Sequence, residues 1–322
     1  MKKILVTGGA GYVGSHACKL LAQSGYEPIT FDNLSTGHES SVKWGPLIQG
    51  DLHETALLVK TIEQYEPIAV VHFAASSYVG ESVANPFKYY LNNVGGTVSL
   101  LQAMTTTGLK NIVFSSTCAT YGTPDVQLIS ETCPQLPINP YGQSKLMIEK
   151  ILGDLANKDQ IHHISLRYFN AAGADKDGEI GEHHDPETHL IPLAIRSALG
   201  GAVLKVFGTD FSTPDGTAVR DYIHVEDLGR AHILAVERLL NGGSSDYFNL
   251  GTGRGTSVRQ IIEGLEHLGV PVQAINAERR EGDPAYLVAD ASKASHVLGW
   301  KPQYQSIDAL LATALAWHKK NG

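Results

Sequence analysis

The sequence has only three cysteines, Cys18, Cys118 and Cys133, and their spacing matches no metal-binding or redox motif. A disulfide framework is therefore not expected. A reducing compartment fits this cysteine usage, and we expect the protein to be cytoplasmic.

A long hydrophobic run is also missing. A membrane-spanning helix needs roughly 18–20 consecutive apolar residues, and no stretch of the sequence approaches that length. The start MKKILVTGG has the basic residues of a signal peptide, but its apolar run is short and glycines follow at once. We therefore interpret it as a first strand, and we expect no membrane association.

An excess of positive charge is absent as well. The chain has 25 Lys and Arg against 33 Asp and Glu, which gives a net charge of −8, and its basic residues are dispersed. This argues against a nucleic-acid-binding surface. A hydrophobic content of 43% in 322 residues is typical of a globular protein that is large enough for two subdomains.

Short apolar runs alternate with helical patterns in the first half of the chain. The predicted strands are 4–8, 28–32, 69–75, 111–117 and 163–170, and the predicted helices are 12–24, 54–65, 86–107 and 140–157. The runs are continuously apolar, as in parallel strands that are buried on both faces. This rhythm predicts an α/β fold, a doubly wound parallel (Rossmann) sheet.

The alternation stops near residue 170. We expect residues 1–170 to form the Rossmann domain, and residues 171–322 to form mainly a smaller, mixed α/β substrate-binding subdomain. Segments near 220–250, including 220–236, are expected to return to the large sheet.

The stretch VTGGAGYVGSH places Gly8, Gly11 and Gly14 between a predicted strand and a predicted helix. Glycines at this spacing allow a tight turn and a close approach of the backbone to a pyrophosphate at the helix N-terminus. Asp32 ends the next predicted strand, where a carboxylate bonds the adenine ribose and repels a 2′-phosphate. These residues predict that the cofactor is NAD rather than NADP. Two further strand ends are candidates to line it, Asp51–Leu52 and Phe73–Ala74–Ala75.

Tyr141 and Lys145 are four residues apart in NPYGQSK, at the start of a predicted helix. Residues at this spacing share a helix face, and an ammonium group beside a phenol lowers the phenol pKa. Tyr141 is then a candidate general acid/base. Thr117 ends the preceding strand and completes a hydroxyl, tyrosine and lysine set.

These motifs resemble the extended short-chain dehydrogenase/reductase family, and within it the enzymes that epimerise UDP-sugars at C4. The resemblance covers essentially the whole chain and includes FDNLS, VGESV, SSTCATYG, PYGQSK, LRYFNAAGA, VRDYIHVEDL and RREGDPA. It implies transient oxidation of UDP-glucose or UDP-galactose to a 4-keto sugar, with NAD as cofactor. It also implies a homodimer that pairs helices 86–107 and 140–157.

The resemblance further assigns roles to single residues. Tyr141 would remove the proton of the sugar 4-hydroxyl, Lys145 would lower its pKa and hold the nicotinamide ribose, and Thr117 would bond the 4-oxygen. The additional cofactor contacts would be Tyr12, Val13, Asn33, Asn93 and Tyr168. The UDP-sugar contacts would be Thr117, Tyr141, Asn170, His189, Leu190, Phe207, Arg220, Arg280 and Asp283. Read alone, Arg220 could instead form a surface ion pair with Asp221 or Asp227.

Two departures from the family pattern bear on specificity. Related enzymes often carry a Lys near the nicotinamide ribose where this chain has Ala75–Tyr78, so one cofactor contact differs. Leu287 occupies the position that sets the size of the sugar pocket, and its intermediate size leaves the range of sugars open. The neighbouring His183, His184 and His189 have metal-like spacing, but we expect no metal, because no helix or hairpin frames them.

Other functions remain as alternatives. Family dehydratases carry acidic residues after the Thr, where this chain has Cys118 and Ala119, so dehydration is disfavoured. A 4-epimerase of a UDP-N-acetylhexosamine, a UDP-pentose or a UDP-uronate is the nearer alternative. A non-catalytic NAD-sensing module would need the glycine turn and Asp32, but it would not need an intact Thr117, Tyr141 and Lys145 set.

Overall fold

A computed structural model describes residues 1–280 and 282–321, so Glu281 of the RREGDPA motif lies outside the described residues. The strands, numbered in chain order, are β1 Lys2–Thr7, β2 Tyr26–Asp32, β3 Leu47–Gln49, β4 Ala69–His72, β5 Asn111–Thr117, β6 His162–Tyr168, β7 Asn170–Ala172, β8 Leu204–Phe207, β9 Val219–His224, β10 Asp246–Leu250, β11 Gly255–Ser257, β12 Ala274–Ala277 and β13 Tyr286–Leu287. The helices are α1 Tyr12–Gln23, α2 Thr55–Tyr65, α3 Val79–Ala84, α4 Pro86–Tyr89, α5 Gly96–Thr107, α6 Pro140–Ala156, α7 Leu190–Ala198, α8 Val225–Leu240, α9 Val258–His267, α10 Ser292–Leu298 and α11 Ile307–Asn321.

Seven parallel strands form the large sheet, in the order β10-β6-β5-β4-β1-β2-β3. The strands β2 and β3 lie on one side of β1, and β4, β5 and β6 follow on its other side. The position between β1 and β4 is therefore the topological switch point, where ligands bind in such sheets. The predicted doubly wound parallel sheet is therefore confirmed.

Helices cover both faces of this sheet. Apolar residues of α1 and α8, including Leu21, Leu228 and Ala235, pack on one face. Residues of α2, α5 and α6, such as Leu58, Met104 and Leu152, pack on the other. Because helices bury both faces of the sheet, the strands carry apolar residues on both faces. Their sequences therefore do not alternate between apolar and polar residues.

Residues after β6 build two small sheets and return once to the large one. Strand β9 is central in a sheet with β7, β11 and β13, and β8 pairs with β12. Helix α8 then packs on the large sheet, and β10 becomes its edge strand. The expectation that 220–236 returns to the large sheet was thus wrong for its first residues, since β9 belongs to the smaller sheet.

Three predicted elements differ from the observed ones. The predicted strand 69–75 ends at His72, because Phe73–Ala75 leave the sheet at the carboxyl ends of its strands. The predicted strand 163–170 divides into β6 and β7, which lie in different sheets. The predicted helix 86–107 is interrupted by a π-helical turn over Tyr90–Gly95, and strand β3 was not predicted.

The π-helical turn has a visible cause in side-chain bonding. It buries the Asn93 side chain toward neighbouring segments, and the Thr97 hydroxyl donates to the Asn93 carbonyl at 2.5 Å. Widened turns of this type occur often at functional sites. In the described residues no helix is both long and apolar enough to cross a membrane.

Candidate active site

The turn between β1 and α1 forms a narrow glycine cradle. Gly8 has a φ of +74°, and a Cβ there would lie 2.5 Å from the Ala74 nitrogen. A Cβ on Gly14 would overlap the Gly8 carbonyl oxygen. Gly11 is the N-cap of α1, so the unpaired amides and positive dipole of this helix face the cradle. The donor set and the close packing fit a dinucleotide pyrophosphate.

Asp32 lies at the end of β2, beside this cradle. Its carboxylate accepts hydrogen bonds from the backbone amides of Ala10, at 3.0 Å, and Leu34, at 2.8 Å. Burial raises the pKa of Asp32, and the two amide bonds oppose that shift. The side chain is thus fixed at the end of β2, and its contact with the adenine ribose stays a prediction.

The next strand end adds a polar pair. The Asn33 side-chain amide donates to the Asp51 carboxylate at 2.8 Å, and Asp51 also accepts the His53 amide at 2.9 Å. These bonds lower the pKa of Asp51, although burial opposes them. Leu52 is buried next to this pair. The predicted adenine-side residues therefore lie together at the carboxyl ends of β2 and β3.

The other wall of the crevice follows β4. The amides of Phe73 and Ala74 both donate to the Thr7 carbonyl, at 2.9 and 3.1 Å, and so hold this segment against β1. Tyr12, the first residue of α1, donates its hydroxyl to the Gly173 carbonyl at 2.6 Å. The crevice is thereby joined to the chain that follows β7.

The side chain of Asn93 connects the segment after β4 to helix α6 through hydrogen bonds. Its amide nitrogen donates to the Ser76 carbonyl and to the Ser144 hydroxyl, each at 3.0 Å, and its oxygen accepts the Ser76 amide at 2.8 Å. The side chain is fully buried. In this structure its hydrogen bonds go to protein groups, and its contact with the cofactor stays a prediction.

Tyr141 is the second residue of α6 and faces the end of β5. The helix starts with Asn139, whose side chain accepts the Gly142 amide at 2.8 Å, followed by Pro140 at the first position. Burial raises the pKa of Tyr141 above its ordinary value, and a hydrogen bond with Thr117 opposes this. Thr117 itself caps the next turn by accepting the Ala119 amide at 3.1 Å. The two side chains therefore lie close together, and their roles in the reaction stay predictions.

Lys145 lies one helical turn after Tyr141 and is 3% exposed. Its ammonium group donates to the Ser115 carbonyl at 2.8 Å and lies 4.8 Å from the centre of the Phe114 ring. Burial lowers the pKa of Lys145 to about 7, and the Glu149 carboxylate opposes that shift. Burial has the largest effect on the pKa of Tyr141 in this structure. The lowering of the Tyr141 pKa by Lys145 therefore stays a prediction.

Tyr168 ends β6 next to this group, and its hydroxyl lies 2.7 Å from the Ser115 hydroxyl. Ser115 thus contacts two candidate residues, Lys145 through its carbonyl and Tyr168 through its side chain. Burial raises the pKa of Tyr168, against the hydrogen bond with Ser115. Tyr168 is therefore neutral and available as a donor.

Sequence reasoning missed a buried ion pair behind this site. Both oxygens of Glu149 accept hydrogen bonds from Arg167, at 2.9 and 2.7 Å, and the two side chains are 2% and 5% exposed. Ser116 and Gln135 also donate to Glu149, at 2.5 and 2.9 Å. The signal was present in the sequence: Glu149 is four residues after Lys145 and extends the series that begins at Tyr141.

The predicted UDP-sugar contacts come from adjacent strands of the second sheet. Asn170 in β7 is opposite Tyr222, and Leu287 in β13 is opposite Arg220, both neighbours lying in β9. Arg220 forms a close ion pair with Asp283, not with Asp221 or Asp227. Those two aspartates bond other groups, Thr252 and Arg230 respectively.

Two further predicted contacts are close to each other. The Arg280 guanidinium lies 4.1 Å from the centre of the Phe207 ring, at the end of β8. His189 is the N-cap residue of α7, and Leu190 is its first residue. The structure thus brings Arg220 to Asp283 and Arg280 to Phe207, and it sets His189 and Leu190 at a helix N-terminus.

Four titratable side chains converge on the loop before α7, namely Glu182, His184, Glu187 and His189. Glu182 is 3% exposed, and its carboxylate lies 2.5 Å from Nδ1 of His189 and 3.3 Å from Nδ1 of His184. Burial opposes ionisation of Glu182, but the two imidazoles hold its pKa down to about 2. The same contacts raise the pKa of His184 to about 9, against burial. The sequence singled out His184 and His189 without predicting this grouping.

Comparison with known proteins bears on the whole chain. The sequence profile of the NAD dependent epimerase/dehydratase family matches residues 4–251. A UDP-glucose 4-epimerase of Rhizobium meliloti is 52% identical over 319 residues, which is 98% of this chain and 97% of that protein. The crystal structure of UDP-glucose 4-epimerase from Brucella ovis in complex with NAD is 54% identical, with a TM-score of 0.96 and 98% of each chain covered. The Bifidobacterium longum UDP-glucose 4-epimerase in complex with NAD+ and UDP is 38% identical, with a TM-score of 0.93 and 99% of each chain covered.

Proposed function

Because the chain belongs to the NAD dependent epimerase/dehydratase family, we propose that it is a 4-epimerase that interconverts UDP-glucose and UDP-galactose. The observation that carries this proposal is the proximity of Thr117, at the end of β5, to Tyr141, at the start of α6, with Lys145 buried one turn further along that helix. Relatives that match almost the whole chain at about half identity are named UDP-glucose 4-epimerase.

The large sheet is proposed to hold the cofactor. The pyrophosphate would bind at the turn formed by Gly8, Gly11 and Gly14 and at the N-terminus of α1. The adenine ribose would be bound by Asp32 and Asn33. Phe73–Ala75 would line the opposite wall, and Lys145 would reach the nicotinamide ribose. When bound there, NAD would supply a hydride acceptor for C4 and, in its reduced form, the donor of the same hydride.

Proton transfer is assigned to Tyr141. Its phenolate would take the proton of the sugar 4-hydroxyl, and the resulting phenol would give the proton back when the 4-keto sugar is reduced on its other face. Thr117 would bond the same oxygen and orient it. Lys145 would favour the phenolate form through its positive charge. Because Lys145 is anchored to the Ser115 carbonyl, its ammonium group is fixed before substrate binds.

The second part of the chain is proposed to grip UDP. Arg220 and Arg280 offer planar guanidinium groups, which bond phosphate oxygens at two points. Between the two hydride transfers the 4-keto sugar must rotate so that its opposite face meets the cofactor. Most of the binding energy therefore has to come from the nucleotide. Asn170, His189, Leu190, Phe207 and Asp283 would complete this grip.

The experiment measures both sugars and the cofactor. Purified protein with catalytic NAD should convert UDP-galactose to UDP-glucose and the reverse, with NADH absorbance never exceeding the enzyme concentration. Steady accumulation of NADH in proportion to the sugar consumed would identify a dehydrogenase instead. NAD binding without turnover of any UDP-sugar would support the sensing module. Turnover restricted to N-acetylated, pentose or uronate UDP-sugars would reassign the substrate.

The protein is further proposed to act as a homodimer. Large apolar side chains are exposed along α4, the π-helical turn, α5 and α6: Phe87 is 85% exposed and Leu91 is 67% exposed, and Val98 and Met147 continue the stripe. Such a contiguous apolar surface is typical of an interface. Phe87→Glu should shift the mass measured by light scattering toward the monomer. Ile275→Glu, at an exposed apolar side chain of β12 outside the stripe, is the matched control and should leave the mass unchanged.

Cytoplasmic location is proposed as well. The three cysteines are free, and Cys18 and Cys118 are buried, which suits a reducing compartment. Fractionation of cells that express the untagged chain would test this proposal. Recovery in the membrane or secreted fraction would contradict it.

A further inference from the structure

We propose that Glu182, His184, Glu187 and His189 form a binding site for one divalent transition-metal ion, with Zn²⁺ as the best fit. The ligand atoms of these four side chains lie within 4.8 Å of one another. Imidazole and carboxylate are both ordinary Zn²⁺ ligands, and four of them complete a structural zinc site. This site goes beyond the proposed epimerase reaction and does not depend on it, although it shares His189, whose Nδ1 is the ligand atom, with the proposed UDP grip.

The distances between ligand atoms agree with tetrahedral coordination. With bonds of about 2.0–2.1 Å, the edge of a zinc tetrahedron is about 3.4 Å. His184 Nδ1 lies 3.3 Å from Oε1 of Glu182 and 3.7 Å from Oε2 of Glu187, and His189 Nδ1 lies 3.6 Å from the other Glu187 oxygen, Oε1. A fourth pair, His189 and Glu182, is closer, at 2.5 Å, and would open by less than about 1 Å to admit the ion.

A second observation points into the same place. The Nδ1 atom of His184 is buried and faces the Glu182 and Glu187 carboxylates at 3.3 and 3.7 Å, but it forms no well-aligned hydrogen bond with them. Such orphaned buried nitrogens are rare and call for an explanation, for which an ion is one of the usual answers. A cavity lined by Glu182, His184 and Glu187, together with Arg196 and Trp317, borders the cluster. Once the imidazoles have lost their protons to bind the ion, the two carboxylates and two neutral imidazoles carry a charge of −2, which a divalent ion cancels.

A nearby acidic cluster provides the contrast. Asp175, Asp177 and Glu179 also converge, but the Lys19 ammonium group lies 2.7–2.8 Å from all three. That ammonium group already contacts all three carboxylates, so it takes the place that a metal ion would need. The four-ligand group has no Lys or Arg ion pair of this kind in the part of the chain that the structure describes.

The position of the site indicates what the ion would do. Trp317 of α11 donates to the Glu182 carbonyl at 3.0 Å, and the His184 ring lies 6.1 Å from the rings of both Tyr12 and Tyr78. His189 begins α7. An ion held here would join the loop between β7 and α7 to the cofactor crevice and to the last helix, so it is a structural ion.

The experiment uses untagged, full-length protein that has been dialysed against chelator and then titrated with ZnCl₂ in a calorimeter. We expect one Zn²⁺ per chain, proton release on binding because the imidazoles must be neutral, and a higher unfolding temperature with Zn²⁺ than without. Mg²⁺, which prefers oxygen ligands, should not replace it. Elemental analysis after gel filtration should give the same stoichiometry.

Variants locate the ion. Loss of groups that merely support metal ligands costs about 10- to 100-fold in affinity, so His184→Gln should weaken Zn²⁺ binding at least about 100-fold. His183→Gln is the matched control, because His183 is adjacent in the loop but stacks on His38 and is not one of the four ligands. It should bind Zn²⁺ as the parent protein does.

The outcomes that overturn the proposal are definite. Zinc content well below one per chain after saturation would refute the site, and so would equal affinity in His184→Gln. If that variant does not fold, Co²⁺ in the parent protein decides the matter. The visible absorption of tetrahedral Co²⁺ with nitrogen and oxygen ligands supports the site, and its absence refutes it.

Discussion

Replacing Glu149 by Gln tests how the catalytic helix is held. Glu149 and Arg167 are 2% and 5% exposed and share two hydrogen bonds, so the substitution leaves a buried guanidinium without its counter-ion. Removing one partner of such a pair costs about 3–5 kcal/mol. Gln has nearly the same shape as Glu, so no cavity contributes to that figure.

The assay is urea unfolding followed by circular dichroism, with linear extrapolation of the free energy of unfolding. Saturating NAD and a fixed chain concentration are needed throughout, because ligand and partner binding change the apparent stability. The double variant Glu149→Met/Arg167→Met should regain most of the loss, since apolar residues of similar volume often replace a buried pair without cost. Asp159→Asn removes the largely exposed pair with Lys110 and should cost less than about 1 kcal/mol.

A second readout connects this pair to the reaction. The Glu149 carboxylate is the charge that opposes the lowering of the Lys145 pKa, which burial brings to about 7. In Glu149→Gln the pKa of Lys145 should fall further, and the pH profile of kcat/KM should move to lower pH. A cost below about 1 kcal/mol together with an unchanged profile would refute the reasoning.

The remaining predictions concern the proposed chemistry. Tyr141→Phe should lower kcat at least about 100-fold, the usual scale for general acid/base catalysis, while NAD binding measured by calorimetry stays unchanged. A kcat within a few-fold of the parent would remove Tyr141 from this role. Thr117→Val should cost less than Tyr141→Phe, since Tyr141 would still reach the sugar hydroxyl, and a larger loss would reverse that order. The parent protein should bind NAD in preference to NADP, and Asp32→Ser should reduce that preference; equal binding of both cofactors by the parent would contradict the role of Asp32.

The sequence predicted much of the frame because parallel strands and their connecting turns have strong local signals. The glycine turn, Asp32 and the Tyr141 helix appear where the patterns placed them, and the family resemblance is confirmed over residues 4–251. Strand β3 was missed because its three residues are only partly buried and form an edge. The π-helical turn at Tyr90–Gly95 was missed because its cause is the bonding of Asn93 to distant serines.

Long-range pairing explains the other misses. The partner of Arg220 is Asp283, 63 residues away, and no local pattern could select it over the adjacent Asp221. The convergence of Glu182 and Glu187 with His184 and His189 depends on a loop that has no periodicity. By contrast, Glu149 could have been found from the sequence. It lies one helical turn after Lys145, just as Lys145 lies one turn after Tyr141.

The late return of α8 to the large sheet has a consequence for protein synthesis. Ile4, Val6, Val71 and Ile164 lie on the face that α8 covers. A ribosome that has completed β6 at Tyr168 must add 72 more residues to reach the end of α8 at Leu240. At about 5–20 residues per second this takes roughly 4–14 s. During that interval six of the seven strands have been translated but the face that α8 covers is still exposed, and chaperones that bind exposed hydrophobic segments have their opportunity there.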